Sequence, residues 1–167
     1  MRTRVLGTLV VVVALAVLGA CGDDDDDDAT TNDTTEETTA EGGGVEEIEL
    51  TAELTGGAAE VPMPGDPDGS GSATITLDES TGEVCYDITV ENISEPSAAH
   101  IHEGAAGTAG GIVVTFDPGK IGEGESCLAS QPTDVVAAIV ANPAGYYVNV
   151  HTADFPGGAV RGQLAAA

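Results

Sequence analysis

The run Tyr146-Tyr147-Val148-Asn149-Val150-His151-Thr152 decides the fold. Tyr146, Val148 and Val150 alternate with Tyr147, Asn149 and His151. A period of two marks a strand, because successive side chains leave opposite faces of the backbone. One face is apolar and the other polar, as in an antiparallel sheet with one side on a core and the other in water. The same alternation recurs upstream. Ile48, Leu50, Ala52 and Leu54 alternate with Glu47, Glu49, Thr51 and Glu53. Ala73, Ile75 and Leu77 alternate with Ser72, Thr74 and Thr76, and Val84, Tyr86, Ile88 and Val90 with Cys85, Asp87 and Thr89. Turn residues separate these runs at Gly56-Gly57, from Pro64 to Gly71, and at Pro156-Gly157-Gly158.

Further strands are expected at 97–103, 111–116 and 159–165. About seven or eight short strands on this spacing predict a mainly β domain built as an antiparallel β-sandwich, immunoglobulin-like or superoxide-dismutase-like. One short helix interrupts it. Thr133 to Ala141 (TDVVAAIVA) is apolar at Val135, Val136, Ile139 and Val140, with Thr133 read as its cap and Pro143 as its stop.

The domain occupies residues 45–167 of a 167-residue chain. Two segments precede it. Residues 1–20 read as a secretory signal, with Arg2 and Arg4 ahead of an apolar stretch from Val5 to Leu18. That stretch is shorter than the ~20 residues of a membrane span. Leu18-Gly19-Ala20-Cys21 follows it directly and resembles the lipobox of bacterial lipoproteins, in which the cysteine is lipid-modified and begins the mature chain. Residues 21–44 then carry Asp23–Asp28, Thr, Glu and Asn, ending in Gly42-Gly43-Gly44. With no aliphatic side chain larger than alanine, this stretch cannot offset the entropy of ordering and reads as a disordered acidic tether. The expected location is outside the cytoplasm, anchored through Cys21 to the outer face of the cytoplasmic membrane or to another envelope membrane.

Charge narrows the partners. The chain has 29 acidic residues against 4 basic ones, a net charge of −25. Beyond the signal only Lys120 and Arg161 are basic. No basic patch for a phosphate backbone can be built, so nucleic acid is excluded. Cations, basic proteins and neutral ligands remain. Cys85 and Cys127 are the cysteines left after Cys21. In an exported chain an even pair predicts a disulfide, worth roughly 3–4 kcal/mol through the loop it closes.

Several motifs together resemble the CHRD domain. They include Leu54-Thr55-Gly56 leading to Glu60-Val61-Pro62, then Val84-Cys85-Tyr86, and Ala99-His100-Ile101-His102-Glu103-Gly104. Gly110-Gly111-Ile112-Val113-Val114, Tyr146 to Thr152, Phe155-Pro156-Gly157-Gly158 and Arg161-Gly162-Gln163-Leu164 complete the set. The resemblance spans nearly all of residues 46–164. It implies a non-enzymatic binding or structural role, with no cofactor required.

The chain's three histidines, His100, His102 and His151, all fall in these motifs. Residues i and i+2 of a strand share a face, ~6.6–7 Å apart. His100 and His102 therefore share a face while Ile101 enters the core, and His151 lies opposite Val148 and Val150. Two readings stay open. The imidazoles converge and bind Cu or Zn, a redox role included; or they make structural hydrogen bonds, for example to Glu103, Asn149 or Thr152. The His-x-His strand also resembles copper-zinc superoxide dismutase, but no histidine is left for that family's further ligands. Asp66-Pro67-Asp68-Gly69-Ser70-Gly71 opens like a calcium loop yet has Leu77 where a bidentate Glu is needed, and fits a turn better. Arg161 is expected to clamp a carbonyl or form a salt bridge within the sheet.

Overall fold

The computed structural model describes residues 47–167. The signal, Cys21 and the acidic tether lie outside the described residues. Within them the chain forms β1 (Glu47–Thr55), β2 (Ser70–Asp78), β3 (Glu83–Glu91), β4 (Pro96–Glu103), β5 (Ile112–Phe116) and β6 (Ser126–Leu128). After these come α1 (Thr133–Ala141), β7 (Tyr146–Thr152), β8 (Val160–Gln163) and β9 (Ala165–Ala166). The sheet order is β5-β4-β7-β8-β1-β2-β3-β6, with β9 paired to β1. Every pairing is antiparallel.

The sandwich is one sheet folded on itself. At the β8–β1 seam a single register pair, Thr55↔Arg161, joins the two halves. Both halves send alternate residues into one core. Leu50, Ile75 and Tyr86 come from one side, and Ile101, Val114 and Val148 from the other. Each fully buried large apolar side chain contributes roughly 1.5–3 kcal/mol. The Tyr86 and Phe116 rings meet 4.4 Å apart, and the Asp117 N–H donates to the Tyr86 hydroxyl, drawing the end of β5 over β3. Val136 and Ile139 of α1 complete the same core.

Strands β1, β2 and β3 turn every second residue inward, as the sequence alternation predicts, with Ile48 and Val90 half-buried at the strand ends. Cys85 and Cys127 are directly opposed on β3 and β6 and form the expected disulfide, which pins the short edge strand β6 to the sheet.

Two expectations are corrected. The helix has the expected span, but Thr133 does not cap it. Pro132 occupies the cap position, and its carbonyl accepts from the Val135 and Val136 N–H groups, so Thr133 already lies inside the first turn. The second correction bears on function. Strand β7 has no wet face, since all seven of its residues are buried. Its polar side is roofed by the segments 104–111 and 56–69. Gly110 N–H donates to the Tyr147 hydroxyl, and Arg161 donates to the Thr108 carbonyl at 3.0 Å. Gln163 donates to the Gly104 carbonyl at 2.9 Å, and Asn149 meets Glu60. The outer face of β4, β7 and β8 is therefore a second, polar interior.

Candidate metal centre

The β4–β7 register assembles this polar layer. Ala98 pairs with His151, His100 with Asn149, and His102 with Tyr147. Because β4 and β7 are neighbours, their outward residues form one array, with His100 diagonal to His151. Pairs on this diagonal lie within reach of ring side chains. A bulge in the β4–β5 pairing falls between Ile101 and His102, where Ile101 pairs with Val114 and His102 with Ile112.

All three imidazoles meet. One ring nitrogen from each lies within 4.8 Å of the other two. His100 Nδ1 and His151 Nε2 are 3.1 Å apart. The ring centroids stand 5.0 Å apart for His100–His151, 5.4 Å for His100–His102 and 6.0 Å for His102–His151. Three nitrogens bound to one tetrahedral zinc at 2.0–2.1 Å would stand ~3.3 Å from each other. One edge of that arrangement is already at this length.

The surroundings orient the lone pairs. His102 Nδ1 lies 3.0 Å from the Gly110 carbonyl, and His151 Nδ1 lies 3.1 Å from the Pro156 carbonyl. A carbonyl oxygen only accepts, so both Nδ1 atoms carry the proton and both Nε2 atoms present a lone pair. Backbone acceptors that fix the tautomer in this way are typical support for histidine ligands. His151 Nε2 accepts from His100, whereas His102 Nε2 is buried without a partner. A buried acceptor left unpaired costs ~1–3 kcal/mol, and an electrophile placed there removes that cost. The expected structural partners Glu103, Asn149 and Thr152 do not bond the imidazoles; the two backbone carbonyls take that role.

All three rings are held neutral. Burial lowers the His100 pKa to about 4, with His151 and His102 adding repulsion. Burial also lowers His102, against the pull of the Gly110 carbonyl and with the Arg161 charge in support. His151 is lowered by burial against the Pro156 carbonyl, with His102 in support. Neutral imidazole is the metal-binding form.

Tyr147 and Arg161 extend the site. The Tyr147 ring stacks on His102, 4.9 Å between centroids and 5° from parallel. The Arg161 guanidinium lies 3.4 Å from the Tyr147 ring centroid. Since β7 runs between β4 and β8, the tyrosine stands between the imidazole and the cation. Arg161 is thus the carbonyl clamp expected of it, but its carbonyl belongs to the 104–111 loop. Gly110 permits this loop path, since a Cβ there would lie 1.4 Å from the Glu103 carbonyl oxygen.

Cys85 and Cys127 lie close to Glu83, but their sulfurs are bonded to each other and present no thiolate. Asp66 Oδ1 accepts from the Asp68 N–H in a local turn, as the turn reading of that loop expects. Tyr147 and Glu60 are the residues that the strand reading missed. Tyr147 was within reach of it, because it shares the outward period with Asn149 and His151.

A sequence model of the CHRD domain family matches residues 50–164. No curated protein and no solved structure matches the chain. The matched segment contains all three histidines, Tyr147, Arg161 and both disulfide cysteines.

Proposed function

The chain belongs to the CHRD domain family, and on that footing we propose that it is an exported, lipid-anchored binding protein whose domain holds one Cu or Zn ion. The observation that carries this reading is the convergence of His100, His102 and His151 on a common point, with His102 Nε2 buried and unpartnered. His102 and His151 would each offer Nε2. His100 would offer the nitrogen that now faces His151, replacing their mutual hydrogen bond. A bound ion would supply Lewis acidity and, if copper, one-electron chemistry. The protein's own residues hold the ring tautomers, exclude bulk water from His102 and keep protons off the ligands. The role is binding rather than turnover. Anchoring rests on Cys21 and its lipobox-like context. Cys21→Ala should leave unprocessed precursor or release the protein from membranes on fractionation; unchanged processing and membrane retention would contradict the anchor.

Metal should stabilise the fold, because the folded domain binds it more tightly than the unfolded chain does. At free metal 100 times the dissociation constant the gain is ~2.7 kcal/mol, visible as a raised melting temperature. The pH dependence follows from the lowered imidazole pKa values. These groups stabilise the fold above the unfolded value of ~6.5, and that contribution is lost as pH falls through the lowered folded values. Protons therefore compete for the folded ligands only below pH ~6.5, and for His100 only toward pH 4. The metal-induced rise, measured on the full-length chain with Zn(II) and Cu(II), should persist at pH 6 and fade toward pH 4. A rise that already vanishes near pH 6.5 would point to ordinary surface imidazoles.

A further inference from the structure

Glu60 and Asn149 form a separate buried pair. Each is 3% exposed, and Glu60 is the one buried carboxyl among the described residues. Asn149 Nδ2 donates to Glu60 Oε2 at 3.3 Å. The other two oxygens, Glu60 Oε1 and Asn149 Oδ1, are both buried and both without a partner. As a carboxylate, Glu60 would leave two acceptors of one side-chain pair with no donor between them, at the cost of two buried unsatisfied groups. A single proton on Oε1 provides the missing donor.

The nearby charge is not used to neutralise it. Arg161 is the only arginine of the domain, and its guanidinium is engaged elsewhere. Nη1 donates to the Thr108 carbonyl, Nη2 to Gln163 Oε1, and the plane lies over Tyr147. Among the described residues the one salt bridge is Lys120–Glu123, so no cation pairs with Glu60. An ionised carboxylate at this depth needs a paired cation or several donors.

We infer that Glu60 and Asn149 form a carboxylic acid–amide pair that holds a proton near neutral pH and latches the 56–69 segment onto β7. The elements packed against Glu60 contribute few charges. Strand β8 contributes Arg161, and β7 contributes Asn149, which is uncharged. The two surrounding loop segments contribute Gly65 and Gly158, at which a Cβ would lie 2.6 Å from Glu60 Cγ and 2.5 Å from Glu60 Cδ. Burial outweighs the Arg161 field and the Asn149 hydrogen bond and pushes Glu60 up to about 7. The latch is closed when protonated. It contributes stability fully below the unfolded carboxyl value of ~4.3, and that contribution is lost as pH rises through the folded value. This slope is opposite in sign to that of the histidines. The inference needs no metal and stands if the metal reading fails.

Hydrogen exchange reads the latch directly. Gly65 N–H donates to the Gly57 carbonyl, and Asp66 N–H crosses to the Ala159 carbonyl, so both report closure of the 56–69 segment. On the full-length, metal-free chain, opening at these amides, corrected for intrinsic exchange, should rise about tenfold between pH 6 and pH 8. Glu60→Gln keeps the shape and supplies a permanent donor, so its opening should be flat over that range. An equal slope in Glu60→Gln, or a flat wild type, overturns the latch. The carbon-13 shift of the Glu60 carboxyl gives a second reading on wild type alone. A midpoint near 7 is expected, and a midpoint in the ordinary range of ~4.3 overturns the proposal whether or not the variant folds.

Discussion

Replacing both Cys85 and Cys127 with serine is expected to lower the stability of the domain by roughly 3–4 kcal/mol. The bond joins positions 42 residues apart, and the loop it closes contains all of β4 and β5. Freed, the unfolded chain regains the entropy of that loop, while the native state keeps its sheet pairing. The pairing alone is a weak substitute, because β6 has only three residues and lies at the end of the sheet order. For a domain of this size the melting temperature should drop on the order of 10 °C. Urea unfolding of wild type with and without reductant, beside the double serine variant, checks the value. Reduced wild type and the variant should coincide, both with a steeper dependence on denaturant than oxidised wild type, because the uncrosslinked unfolded chain exposes more surface. A loss below about 1 kcal/mol would mean that the closed loop is already ordered in the unfolded chain.

The strand pattern was legible because alternation is a local signal. Leu50, Ala52 and Leu54, or Ala73, Ile75 and Leu77, announce their inward face with no knowledge of neighbours. The outward face of β7 was less legible. Tyr147, Asn149 and His151 look like a wet face, and nothing within the strand says that two loops cover them. That cover comes from Arg161, Gln163, Tyr147 and Asn149 bonding loop groups far away in sequence, such as Thr108 and Glu60. The histidines show the same division. Strand period puts His100 and His102 on one face, but their meeting with His151 depends on β4 lying beside β7. That adjacency is a property of topology, and the two strands are separated by β5, β6 and α1. Thr133 failed as a cap for a related reason. A hydroxyl at a helix start is a good signal, yet the Pro132 carbonyl occupies the place where the cap acts. Glu60 offered no local signal, since its burial is made by Gly65 and Gly158 on either side of its carboxyl.

The second large effect concerns His102, whose unpartnered Nε2 is the most exacting feature of the metal reading. Its ring is stacked on Tyr147 and held by the Gly110 carbonyl, which fixes the direction of the Nε2 lone pair. Loss of an outer-shell partner typically costs 10–100-fold in metal affinity, and loss of a ligand should cost more. His102→Ala is therefore expected to weaken Cu(II) binding by about 100-fold or more. The variant also removes a buried imidazole, so its melting temperature must be compared with its own metal-free form. Glu103→Gln, one residue along and exposed, should leave affinity unchanged. The most direct measurement is electron paramagnetic resonance of the Cu(II)-loaded full-length chain. Nitrogen hyperfine structure from three imidazoles is expected, reduced to two in His102→Ala. An oxygen-dominated spectrum that is the same in wild type and in His102→Ala would place the copper on surface carboxylates and contradict the three-histidine centre.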